Sequence, residues 1–97
     1  MSIRQAQKEA MQLSDAIDAK FRRESTPAMM MIDLVEEVGE LAEVIRAREF
    51  YKTQPKEDLP TELADILYDI LRIAEHYDVD LETAYEKTMQ KYREKFL

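Results

Sequence analysis

The sequence predicts an all-α protein that folds as an antiparallel four-helix bundle, with residues 1–97 forming a single domain. The chain is 45% hydrophobic and 36% charged and contains only one Gly and three Pro, a composition typical of helical globular proteins. Apolar residues recur at three- and four-residue steps over four segments, as they do along one face of a helix. At 97 residues the chain has the size of one domain with a modest core.

The first two predicted helices are separated by a short polar interruption. Helix one runs from about Ser2 to Arg23, and its apolar positions are Ile3, Ala6, Ala10, Leu13, Ile17 and Phe21. Pro27 suits the first turn of helix two, which should end near Arg48 or Phe50. The apolar stripe of helix two comprises Met31, Leu34, Val35, Val38, Leu41, Ala42 and Ile45. We expect both stripes to face the core.

A polar connection with two prolines, residues 51–60, leads into the third predicted helix. This helix should begin at about Pro60 and end at about residues 76–77. Its predicted core stripe comprises Leu63, Ile66, Leu67, Ile70, Ala74 and Tyr77. Asp80 resembles an N-cap for a fourth helix over about 81–96. Helices joined in this way pack antiparallel in a bundle.

Charge and the lack of cysteine exclude several classes of protein. Fourteen basic against twenty-one acidic residues give a net charge of −7, which disfavours binding to a nucleic-acid polymer because that requires basic groups. Without cysteine, neither a disulfide framework nor a thiolate metal site can form, and we expect a cytoplasmic protein. No apolar run indicates a signal peptide or membrane segment. A free nucleotide carried with its metal remains compatible with this charge.

Helices two and three both carry carboxylates beside their apolar stripes. At about 100° per residue, Asp33, Glu37 and Glu40 share one face of helix two. Helix three has a similar face, formed by Glu62, Asp65, Asp69 and His76. Each helix therefore offers a pair of carboxylates three residues apart, and such pairs project from the same side of a helix. If the two helices are neighbours, four acidic side chains converge.

Convergence of this kind requires a counter-charge. Two carboxylates about 4 Å apart repel by about 4 kcal/mol at an effective dielectric constant near 20. A site built only from carboxylates suits Mg2+ or Mn2+, which takes further ligands from substrate phosphates. The pattern thus indicates a metal site for a phosphorylated substrate. A solvated acidic face, common on Glu-rich helices, is the alternative interpretation.

The segment EEVGELAE followed by ELADILYDIL resembles the EExxE and ExxD motifs of the MazG-like all-α nucleotide pyrophosphohydrolases. The resemblance extends from about Met29 to Lys95, and DVDLETAYEKTMQKYREKF is similar to the family's last helix. It implies Mg2+-dependent hydrolysis of a (deoxy)nucleoside triphosphate between the α and β phosphates, which would suit housecleaning of the nucleotide pool. It also implies a homodimer or homotetramer that completes the bundle and in which subunits complete one another's sites.

The same resemblance implies roles for individual carboxylates. The positions that match the family's metal ligands are Glu37, Glu40, Glu62 and Asp65. Glu36, the first residue of the EExxE match, would act as a general base or support a ligand. These assignments make the middle of helix two and the start of helix three the catalytic region.

Further candidates lie outside the two motif pairs. Lys91 and Lys95 match the basic residues of the family's last helix that contact phosphates, although the second position is more often Arg in the family. Asp69, one turn beyond Asp65, is a candidate for a further metal ligand or a substrate contact. Tyr68 could stack on a nucleobase, but an aromatic side chain between helices more often serves packing.

Two other functions compete with the enzyme. A non-catalytic acidic helical module that oligomerises and binds a partner protein would show the same composition. A ferritin-like di-metal oxidase requires Glu-x-x-His pairs on two helices. The chain has one histidine, His76, so two such pairs cannot form and the oxidase interpretation fails. The run of methionines at 29–31 fits either a subunit interface or simple core filling.

Overall fold

The chain folds into four α-helices, and the computed structural model describes residues 1–53 and 58–97. In order these helices, with a π-helical turn after the second, are α1 (Ile3–Phe21), α2 (Pro27–Arg46), the π-turn (Ala47–Tyr51), α3 (Leu59–His76) and α4 (Leu81–Phe96). The described ranges contain no strand, which confirms the predicted all-α, four-helix class. Part of the predicted connection, residues 54–57, lies outside the described residues.

Local sequence signals explain where the helices begin. Each α-helix has a side-chain oxygen that accepts a backbone N–H three residues further on, and these capping residues are Ser2, Thr26, Asp58 and Asp80. The predicted N-cap at Asp80 and the placement of Pro27 in the first turn of α2 are confirmed. The predicted end of helix two near Arg48 or Phe50 falls inside the π-turn.

Helix α3 lies between α1 and α2, and it runs antiparallel to α2. Near the start of α2, Asp33 bonds Arg72 near the end of α3 at 3.2 Å, whereas Glu40 further along α2 meets Glu62 at the start of α3. Helix α4 packs chiefly against α1, where the Ile3 amide donates to Glu82 Oε1 at 3.0 Å.

The radius of gyration is 15.9 Å, against about 12.5 Å expected for a compact domain of this length. The bundle is therefore open on one side.

The predicted apolar stripes of helices two and three were wrong for most of their length as core faces of the single chain, although Ala74 on α3 is buried as predicted. The side chains of Val35, Val38, Leu63 and Leu67 are 59%, 49%, 51% and 54% exposed. The buried side chains of α2 are Met30 and Val44, and those of α3 are Glu62, Asp69, Leu71, Arg72 and Ala74. The reason is that α2 and α3 turn their acidic faces towards each other, which leaves much of each apolar stripe exposed within the described chain.

A buried arginine joins three helices. The Arg72 guanidinium donates to Ser14 Oγ on α1 at 3.1 Å, to Asp33 Oδ2 on α2 at 3.2 Å and to Asp69 Oδ1 on α3 at 2.8 Å. Its central carbon lies 4.8 Å from the centre of the Tyr68 ring. Only 5% of the Arg72 side chain is exposed. These contacts make Arg72 a polar tie at the centre of the fold.

Replacing Arg72 by alanine should lower the free energy of unfolding by about 3–5 kcal/mol, because the buried Asp69 carboxylate loses its counter-charge. Urea unfolding followed by circular dichroism measures this loss. The matched control is Arg93→Ala, which removes an exposed pair with Glu86 and should cost less than about 1 kcal/mol. Equal, small losses in the two variants would contradict a stabilising role for the Arg72 contacts.

Within the two described ranges, no helix combines the length and the apolar character needed to cross a membrane.

Candidate functional site

Three carboxylates converge between α2 and α3. Glu37 and Glu40 lie one turn apart on α2, and Glu62 lies in the first turns of α3. One carboxylate oxygen from each side chain lies within 4.8 Å of the other two. The convergence follows from the antiparallel packing, which brings the middle of α2 opposite the start of α3.

Glu37 is the electrostatic centre of this cluster. Burial, followed by repulsion from the charges of Glu40 and Asp65, raises the pKa of Glu37 from 4.5 to about 7, and a hydrogen bond with Glu62 adds to the shift. Glu37 Oε2 is buried and has no hydrogen-bond partner among residues 1–53 and 58–97. A buried carboxylate in this environment binds either a proton or a cation.

Asp65 lies beside the three converging carboxylates and completes the set of four that the sequence predicts. It is half-buried, one turn after Glu62 on α3. Its charge reaches Glu37, since it contributes to the raised pKa of that residue. Its oxygens are not among those that meet within 4.8 Å. The structure therefore brings three predicted ligands together and places the fourth next to them.

The cluster fits a divalent cation. It presents only carboxylate oxygens, which are the ligands preferred by hard ions such as Mg2+ and Mn2+. Because Glu37 Oε2 is buried without a hydrogen-bond partner in the described ranges, a cation at this point would satisfy it and would reduce the repulsion among the three carboxylates.

The sequence matches the MazG nucleotide pyrophosphohydrolase domain over residues 25–96, which is more than half of the chain. The chain belongs to the MazG family. The region matched contains α2, α3 and α4 with all of the carboxylates described above, whereas the whole of α1 precedes it. Thus α1, which supplies Ser14 to the Arg72 tie, lies outside the matched MazG domain.

A relative from Bacillus subtilis supports the membership. YpjD of strain 168, described as uncharacterized, is 33% identical over an alignment 73 positions long, which covers 69% of this chain and 64% of YpjD. The aligned part therefore spans less than two thirds of that relative. A crystal structure of YpjD describes that protein provisionally as a pyrophosphatase. This chain superposes on it with a TM-score of 0.74 at 28% sequence identity. That superposition covers 95% of this chain and 93% of the YpjD chain.

The remaining predicted residues of the MazG site lie away from the three converging carboxylates or are already paired. Glu36 is exposed on α2, and Asp69 is buried in an ion pair with Arg72. Lys91 and Lys95 lie on the exposed last turns of α4, which packs on α1. Within one chain, the structure therefore places the two lysines on a different helix pair from the carboxylates.

Arg72 is the residue near the site whose part the sequence analysis missed. Arg72 forms ion pairs with Asp33 on α2 and Asp69 on α3. These two residues lie on the same acidic helix faces as the three converging carboxylates. The i, i+3 spacing of Asp69 and Arg72 on α3 was the available signal. The spacing alone does not distinguish a buried tie from an exposed ion pair, because that depends on whether α1 and α2 cover it.

Proposed function

We propose that this protein hydrolyses nucleoside triphosphates between the α and β phosphates, releasing a nucleoside monophosphate and pyrophosphate, with Mg2+ or Mn2+ held by Glu37, Glu40 and Glu62. Membership of the MazG nucleotide pyrophosphohydrolase family supports the reaction class. The observation that carries the proposal is the convergence of the three carboxylates, in which the buried Oε2 of Glu37 has no hydrogen-bond partner within the part of the chain that the structure describes. Asp65 is proposed as the fourth ligand.

The proposed roles follow from where each side chain lies. The carboxylates of α2 and α3 would hold the cation in a rigid frame, because both helices are fixed against each other by close packing. When bound there, a divalent ion would supply neutralisation of phosphate charge and a water of lowered pKa. Glu36, exposed beside Glu37 on α2, is proposed to accept a proton at its carboxylate.

We propose that the functional unit is a homodimer or homotetramer. Large apolar side chains of the stripes on α2 and α3 are about half exposed. Contiguous exposed apolar surface of this kind is uncommon on monomeric soluble proteins and marks interaction sites. A second copy would cover these stripes and close the open bundle. Lys91 and Lys95, exposed on a different helix pair from the carboxylates, are proposed to bind substrate phosphates in such an assembly.

Self-association can be tested by charge insertion into the stripe. The wild-type chain, of 11.5 kDa, should elute as a dimer or tetramer in size-exclusion chromatography with light scattering. Val38→Glu should shift it towards the monomer, because burying a carboxylate at an apolar interface costs several kcal/mol. The control Gln12→Glu places the same charge on an exposed position of α1 and should leave the mass unchanged. A wild-type monomer would contradict the proposed assembly.

The reaction is tested by incubating a panel of canonical and modified ribo- and deoxyribonucleoside triphosphates with the protein and Mg2+, Mn2+ or EDTA. We expect metal-dependent formation of pyrophosphate and monophosphate from at least one nucleotide. Release of orthophosphate would overturn the proposed cleavage position. Failure to hydrolyse any nucleotide would favour the non-catalytic acidic module.

A further inference from the structure

Acidic side chains of α2 and α3 follow the contact between the two helices, which we call the acidic groove; they are Asp33, Glu37, Glu40, Glu62, Asp65 and Asp69. Its two ends differ. At one end Glu37, Glu40 and Glu62 bring carboxylate oxygens within 4.8 Å of one another, and the buried Oε2 of Glu37 has no hydrogen-bond partner among residues 1–53 and 58–97. At the other end Asp33 and Asp69 lie on opposite helices and bond the same guanidinium. One end thus offers a place for a cation, and the other end already contains one.

The guanidinium of Arg72 is held firmly in that place. It donates to both aspartates and to Ser14, and 95% of its side chain is covered. Burial opposes its charge, but the hydrogen bonds to Asp69 and Asp33 outweigh this effect and raise its pKa above the ordinary value. Arg72 therefore remains a cation inside the groove.

Asp69 interacts electrostatically with Asp65, which lies beside the three converging carboxylates. Burial raises the pKa of Asp69, the bond to Arg72 lowers it in part, and the charges of Asp33 and Asp65 raise it further. The carboxylates of the two ends therefore interact electrostatically. Without a counter-charge at Asp69, the groove would offer a second pair of carboxylates to a divalent ion.

We propose that Arg72 is a positioning residue that acts as a built-in cation, holding Asp33 and Asp69 off the divalent ion and confining that ion to Glu37, Glu40, Glu62 and Asp65. This inference rests on the metal site of the proposed function. In this arrangement Asp69 is the ion-pair partner of Arg72 and not a metal ligand. Helix α1 also contributes to the site, because Ser14 helps to fix the guanidinium.

Mn2+ binding to the full chain, followed by the electron paramagnetic resonance signal of free Mn2+, tests this assignment without substrate. Asp69→Asn should bind as many Mn2+ ions as the wild type, with a Kd within threefold. The matched variant Glu62→Gln, also a buried acid on α3, should weaken binding at least tenfold. Arg72→Gln should bind one more Mn2+ per chain, and Arg72→Gln combined with Asp69→Asn should return to the wild-type number.

A loss of Mn2+ affinity of tenfold or more in Asp69→Asn would identify Asp69 as a metal ligand and overturn the inference, as would a wild-type chain that binds no Mn2+. If Arg72→Gln does not fold, the Asp69→Asn titration decides alone. Failure of the proposed reaction is a separate result, because it appears as normal Mn2+ binding without release of pyrophosphate.

Discussion

Replacing Glu62 by glutamine should reduce metal-dependent pyrophosphate release at least about 100-fold, equivalent to about 2.7 kcal/mol of transition-state stabilisation. Glu62 is only 1% exposed and meets Glu37 and Glu40 within 4.8 Å. The substitution keeps the size of the side chain but removes one of the negative charges that would hold the ion. The helical circular-dichroism spectrum should not change, so a loss of activity would report on the site and not on folding.

Glu43→Gln is the matched control for this prediction. It is the same chemical change on α2, but the Glu43 side chain is 71% exposed and pairs only weakly with Arg46 at 3.4 Å. Its activity should remain within about twofold of wild type, because an exposed pair of this kind contributes little. If Glu62→Gln kept more than half of the wild-type rate, the ligand assignment would be wrong.

The melting temperature of the metal-free protein should fall as the pH rises from about 4.5 to about 7. The pKa of Glu37 is raised from 4.5 to about 7 in the folded chain, so in this window the folded state holds a proton that the unfolded state releases. Linkage then requires stability to decrease with rising pH until both states are ionised above about pH 7. Asp69, whose pKa is also raised, contributes with the same sign.

Saturating Mg2+ should reverse the loss at pH 8, since a ligand that binds only the folded state stabilises it. Thermal unfolding from pH 5 to pH 8, with and without Mg2+, measures both effects. In Glu37→Gln the fall with pH should be smaller, whereas Glu43→Gln should follow the wild type. If the melting temperature of Glu37→Gln fell with pH as steeply as that of the wild type, Glu37 would be excluded as the group responsible. A lower melting temperature with Mg2+ would contradict binding of the ion to the folded state.

Much of the candidate MazG site could be predicted because its parts are local. The spacing of Glu37 with Glu40 and of Glu62 with Asp65 is a property of single helices. The start of α4 at Asp80 likewise depends on a cap formed within one turn. The position of Lys91 and Lys95 relative to the carboxylates could not be predicted, because it depends on how α4 packs against α1.

The sequence by itself determined the four helices, their caps and the carboxylate pairs, because each depends on hydrogen bonds and side-chain spacings within a few residues. Only the tertiary structure decided which face of α2 and α3 is buried. A helix with an apolar and an acidic face can turn either one inwards, and the choice depends on its neighbours. Here the acidic faces meet across the groove, where Arg72 offsets part of their repulsion, and Val38 and Leu67 remain outside.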